Sequence, residues 1–310
     1  MNPAYLAFAA LGLIWGTNFM FMKWASIELT ASQIVFLRVL FGFLPLLAVA
    51  LFSKALAWRH VRHVHHFLVM SLLATVIYYY AFAKGTGLLY SSVAGMLSGA
   101  IPLFSFLCAW VLLRQERPSV RMMAGIVCGF AGVLLIARPW SAHAAGVSLA
   151  GVGYMVAGSL SVGCSFVYAR RFLSDLDLSP LALSTWQIGI ALVLVGCVTD
   201  FHGMARVTGD TRALLGLIFG LGLTGTGIAY ILYYFIIARL GAVAASSVTY
   251  IPPVVALVMG SWIAHEPIGL VEVLAMGAIL GGVFLLQGGR QPRSAAARWQ
   301  SFGKSSGRRA

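Results

Sequence analysis

The sequence predicts an all-α integral membrane protein of ten transmembrane helices, arranged as two inverted-topology five-helix repeats. Hydrophobic residues make up 60% of the chain and charged residues 9%, against about 25% charged in an ordinary soluble domain. Such a chain cannot cover itself with a polar surface. Apolar runs of the roughly 20 residues needed to cross a ~30 Å hydrocarbon core recur along the whole length. The chain also repeats itself. Reading AGMLSGAIPLFSFLCAWVLLRQE against AASSVTYIPPVVALVMGSWIAHE at a shift of 150 positions carries Ala94 onto Ala244, Pro102 onto Pro252, Leu107 onto Leu257 and Glu116 onto Glu266. The same shift brings Tyr80 onto Tyr230 and Gly132, Val133 and Leu135 onto Gly282, Val283 and Leu285. Self-similarity of this kind takes precedence over any single motif.

The first span, Ala4 to Trp24, lacks the basic n-region of a cleaved signal and is read as retained. Gln33 to Phe52 and Phe67 to Gly87 follow, separated by a basic loop that holds His60, His63, His65 and His66. Ser91 to Leu113 contains Pro102, and Met122 to Ala137 is the glycine-rich span that closes the first unit. The second unit repeats the order with Gly151 to Arg170, Leu181 to Val198, Ala213 to Ala238, Ala242 to Ala264 and Ile268 to Gln287. The repeats thus occupy residues 1–140 and 146–288, and 289–310 is a basic tail expected to be cytoplasmic and disordered. An even number of spans puts both termini on one side, and Lys and Arg gather on the side of the termini. The positive-inside rule therefore makes the N and C termini cytoplasmic. Because five is odd, the second unit enters the membrane from the opposite face, the inverted repeat found in many secondary transporters.

Several functions are excluded at this level. The net charge of +13 is spread over short loops and the tail, whereas a nucleic-acid site needs basic residues on one solvated face. Cys108, Cys128, Cys164 and Cys197 fall in apolar runs without a CxxC spacing, so they are read as packing residues. No catalytic constellation, phosphate loop, metal site or cofactor motif is predicted. The histidine cluster has no carboxylate or thiol partner nearby in the sequence and is read as a solvated loop.

Candidate path residues come from polar and aromatic groups inside spans. Tyr78, Tyr79 and Phe82 in the third span and Tyr230 and Tyr234 in the eighth lie on helical faces. Deep tyrosine hydroxyls need partners. With Trp15, Asn18, Ser98, Ser161, Ser165, Trp186 and Tyr250 they are candidates to line an amphipathic chamber, with ordinary packing as the alternative for each. Pro102 and Pro252 each free a backbone carbonyl within a span, which leaves packing and a cavity wall both open. Arg38 and Glu272 are charges inside spans at similar depth, with Lys84 near an outer end, and such groups usually face the protein interior. They form either a structural ion pair or, through Arg38 or Lys84, a point of attraction for a carboxylate. Glu116 and Glu266 at span ends are expected to tie loop amides.

Glu116 and Glu266, each closing a proline-containing helix ahead of a glycine-rich last span (GIVCGFAGVLLIA and GAILGGVFLLQ), and LIWGTNF in the first span together resemble the EamA-type drug/metabolite transporters. The resemblance covers residues 4 to 288. Within that superfamily the length, the ten spans and the tyrosine-rich third span look most like the bacterial aromatic amino-acid exporters. The second copy departs from the first: LSVGCSF replaces the tryptophan motif, and Gln187 stands near where the first copy has Arg38. The resemblance implies a non-enzymatic secondary exporter of small amphipathic metabolites, amino acids included, in the bacterial inner membrane. It would need no cofactor and contact membrane lipid but no nucleic acid; whether it acts as a monomer is left open by the sequence. A broad drug or cation efflux carrier is the alternative within transport. A membrane scaffold or lipid-modifying enzyme is the alternative outside it.

Overall fold

A helix rises about 1.5 Å per residue, so a span of 20 or more residues crosses the hydrocarbon core with its backbone satisfied internally. The computed structural model describes residues 3–113, 119–139, 148–174, 176 and 178–288. Glu116 and the 289–310 tail lie outside them. The spans are α1 (Pro3–Glu28), α2 (Ala31–Phe52), α3 (Trp58–Leu88), α4 (Ser91–Leu112), α5 (Val120–Ala137), α6 (Leu149–Leu173), α7 (Pro180–Val198), α8 (Thr211–Gly241), α9 (Val248–Trp262) and α10 (Leu270–Gly288). Nine are long enough to span by themselves, and α9 is the shorter tenth. The chain is a ten-helix membrane protein, and among the described residues there are no strands.

Side chains written into the sequence set most of the boundaries. Thr30 and Gln33 form a reciprocal capping box at the start of α2. Ser119, Ser148 and Ser179 cap α5, α6 and α7, and Asp210 accepts from the Arg212 and Ala213 amides at the start of α8. At the end of α8, Gly241 turns the chain with φ 85°, a conformation that only glycine adopts without cost. The chain runs on as a short helical turn before α9, which is why the ninth span was legible from Ala242 although its straight part starts later. The third span also begins earlier than its apolar run, because Trp58–His63 forms a 3-10 turn ahead of it.

Both copies interrupt their helices at matching places. α4 stops at Ser98 and resumes at Ile101, while α9 carries a 3-10 turn at Val248–Tyr250 and straightens from Ile251. Shifted by 150 positions, these breaks coincide, so Pro102 and Pro252 both sit at the start of a half-helix, where a missing N–H costs nothing. α3 and α8 each contain a π-helical stretch, Leu72–Val76 and Gly216–Ile228.

The packing obeys the same twofold relation. α1 packs on α9 as α6 packs on α4, α3 packs on α6 as α8 packs on α1, and α2 packs on α8 as α7 packs on α3. α2 with α7, α4 with α9 and α5 with α10 are the self-related pairs. In the α5–α10 seam backbone approaches backbone. A methyl group built on Gly282 would lie 2.5 Å from the Gly125 carbonyl oxygen, and one on Gly132 would lie 2.6 Å from the Ala275 carbonyl. The GxxxG spacing of Gly277 and Gly281 plays no part in it, since both face open space. Outward-facing apolar residues such as Phe284, 71% exposed, form the surface that lipid covers.

Candidate functional site

The π-helical stretches fix the centre of the molecule. Such wide turns take backbone groups out of the i→i−4 register and recur at functional sites. Each places one threonine, Thr75 in α3 and Thr226 in α8, toward the opposite repeat. Arg38 Nε of α2 donates to Thr226 Oγ1 at 3.0 Å, and Gln187 Nε2 of α7 donates to Thr75 Oγ1 at 2.9 Å. Thr226 donates its own hydroxyl hydrogen bond to the Leu221 carbonyl, five residues back, so its lone pairs are free to accept.

Around Arg38 the rings converge. Its guanidinium carbon lies 3.9 Å above the Tyr79 ring, within the range of a cation–π contact. Tyr78 meets Tyr79 and Phe82 at centroid distances of 5.2 and 4.5 Å, and Phe82 meets Phe19 of α1 at 6.2 Å. Tyr230 and Tyr234 of α8 stack at 6.1 Å, with Tyr230 beside Tyr79, and Tyr234 shares a hydrogen bond with Ser184 of α7. Asn18 is buried against Gly225, and its Oδ1 meets no partner among the described residues. Elements of both repeats therefore build one cluster of rings, hydroxyls and a single cation.

Of the sequence-derived candidates, Asn18, Tyr78, Tyr79, Phe82, Tyr230 and Tyr234 come together here. Others do not. Trp15 packs on Tyr233 at 5.8 Å in a separate α1–α8 cluster. Trp186 stacks parallel to Phe67 at 5.9 Å and lines an apolar groove with Phe43 and Val193 on the lipid side. The hydroxyls of Ser98, Ser161 and Ser165 are spent on the carbonyls of Gly95, Leu73 and Val162. Tyr250 lies at the α9 break.

The charges also rearrange. Arg38 and Glu272 do not pair, because Arg138 at the end of α5 reaches Glu272 first, at 2.5 Å. Lys84 is exposed. Glu266 binds the start of α4, accepting from the amides of Ser91 at 2.7 Å and Ser92 at 2.8 Å and from the Ser91 hydroxyl at 2.7 Å. A carboxylate at a helix N-terminus is favoured there by the unsatisfied N–H groups and the dipole. Lys23 Nζ donates to the Gly87 carbonyl beside it, and a cavity of about 810 Å³ lined by Lys23, Trp24, Tyr90, Arg212 and Glu266 opens at this end. His66 binds the Tyr168 hydroxyl at 2.8 Å, and among the described residues no group of three or more potential ligands is placed to hold a metal. Thr75 shares a face of the third span with Tyr78, Tyr79 and Phe82 in the sequence, but Thr226 and Ser184 escaped sequence reading, although Thr226 stands at nearly the place equivalent to Thr75.

The fold and this geometry meet one family. The EamA-like transporter family matches residues 2–138 and 149–287, one segment in each half. The chain belongs to the EamA-like transporter family. Among its relatives, the uncharacterized transporter YoaV of Bacillus subtilis is 24% identical over 286 residues, covering 92% of this chain and 97% of its own. An uncharacterized transporter of Archaeoglobus fulgidus is 23% identical over 91% of this chain and 98% of its own. The uncharacterized inner membrane transporter YedA of Escherichia coli is 25% identical over 64% of this chain and 63% of its own. A solved crystal structure superposes with a TM-score of 0.59 at 18% identity, covering 94% of this chain and 99% of that one. The molecule is thus a multi-pass membrane transporter with the ten-helix EamA fold.

Proposed function

We propose that the protein is a secondary exporter of amino acids, aromatic ones included, working by alternating access in the bacterial inner membrane with both termini in the cytoplasm. The observation that carries this reading is the ring and hydroxyl cluster at the junction of the repeats, where Tyr79 lies under Arg38 and is joined by Tyr78, Phe82, Tyr230 and Tyr234. Inverted-repeat transporters place their sites there, among discontinuous helices. The breaks in α4 and α9 supply hinges on either side, with α5 and α10 buttressing each other apart from the path. Drug or cation efflux is less well supported. It calls for an unengaged buried acid, and Glu266 and Glu272 are held by the α4 amides and by Arg138.

Counterflow of labelled L-phenylalanine into proteoliposomes tests the reading. The wild-type chain is expected to accumulate label, and Tyr230→Ala to slow phenylalanine more than threonine. Aromatic pairs contribute about 0.5–1.5 kcal/mol beyond buried area. Absence of counterflow for every amino acid tried would reject it.

A further inference from the structure

We infer that Arg38 is the anchor for a ligand carboxylate, so that the species recognised in the chamber is an anion or zwitterion with an apolar body and not an organic cation. The inference rests on the chamber reading above and narrows its substrate class. Arg38 is 7% exposed and lies within a membrane span, where an ionised group is costly unless charge and hydrogen bonds compensate it. Its partners are a neutral hydroxyl, Thr226 Oγ1, and the face of Tyr79. Neither carries a negative charge.

The described carboxylates are all placed elsewhere. Glu266 holds the start of α4, Glu272 holds Arg138, Asp200 accepts from the His202 amide and Asp210 caps α8, while Glu28 ends α1. Glu116, Asp175 and Asp177 fall outside the described residues. Nε is committed to Thr226, and no ion pair among the described residues involves the two terminal nitrogens of Arg38. That pair of nitrogens is the edge that matches the two oxygens of a carboxylate.

The second repeat supplies the control. Gln187 makes the equivalent bond to Thr75 without any charge, so the twofold fold does not require a cation at this position. The charge on Arg38 is an addition to the architecture, beside a ring cluster to which both repeats contribute. An aromatic side chain of the ligand would lie against Tyr78, Phe82 and Tyr230, with its carboxylate on Arg38.

The test uses four probes of one shape and different charge on the purified full chain in detergent, with binding read by calorimetry: L-phenylalanine, 3-phenylpropionate, L-phenylalaninamide and phenethylamine. The two carboxylates should bind about 10- to 100-fold more tightly than the two probes without one, the size expected for hydrogen bonds to charged groups. Arg38→Gln, which installs the residue the other repeat already carries, should remove that preference while the protein stays folded. Arg38→Lys should keep part of it. Equal affinity for phenethylamine and 3-phenylpropionate in the wild type, or a carboxylate preference that survives Arg38→Gln, would overturn the inference. So would counterflow of phenethylamine but neither carboxylate, a result that leaves the transporter reading standing. Carboxylate binding through Arg38 without counterflow of any probe would instead uphold the inference and reject transport of these ligands.

Discussion

Arg38 with Thr226 and Gln187 with Thr75 are the same contact made twice, once with a charge and once without. Both run from a second helix of one repeat to the π-helical stretch of the other, and both are buried. The neutral version closes on itself: Gln187 also offers its backbone carbonyl to the Ser71 hydroxyl at 2.7 Å. The charged version also sets its guanidinium over the Tyr79 ring. A duplicated architecture thus holds the two halves together by symmetric polar contacts, and one departure from symmetry marks where chemistry differs.

The harshest way to break this comparison is to put a second cation in the quiet site. Gln187→Arg should destabilise the protein by about 3 kcal/mol or more, because a buried charge without a counter-ion is then left beside Thr75. Thermal unfolding in detergent reads the effect, and a neutral outcome would show that the fold hosts a cation equally well in either half. A finer version removes the acceptors. Thr226→Val should cost about 1.5–3 kcal/mol, as a bond to a charged donor, and Thr75→Val about 0.5–1.5 kcal/mol. The reverse order would mean that Arg38 does not rely on Thr226.

The α5–α10 seam shows what a purely structural contact does. Gly282→Ala should cost about 1–3 kcal/mol by overpacking against the Gly125 carbonyl, whereas Gly277→Ala, facing open space, should be neutral or slightly stabilising. Equal costs would mean that the seam is looser than the contact implies. A small loss is expected where a charge already has its partner near the surface. Glu272→Gln breaks the pair with Arg138, whose side chains are 27% and 14% exposed, and should cost no more than about 1 kcal/mol. A loss as large as that for Gln187→Arg would make this pair a second critical charge site.

The fold was legible because its signals are local or periodic. Apolar runs separated by polar breaks mark helices one segment at a time, and the shift that overlays Pro102 on Pro252 declares the duplication without any three-dimensional information. Even the paired helix breaks follow from it. The site was legible only in kind. Tyrosines and Arg38 deep in spans announced a polar interior, yet which of them meet depends on how each helix is rotated and which neighbour reaches a group first.

The sequence by itself therefore determined the ten spans, the twofold plan and the inventory of buried polar groups, since hydropathy, capping and internal repetition act along the chain. Only the tertiary structure decided the partners. The sequence suggested a similar depth for Arg38 and Glu272, but Glu272 stands in the first turn of α10, where Arg138 reaches it from the end of α5, while Thr226 meets Arg38 from α8. Trp186 turned to the buried Phe67 and not to the tyrosine cluster. Contacts between helices are fixed by side-chain packing at 2.5–6 Å across elements far apart in sequence, and no reading along one strand of residues carries that rotation.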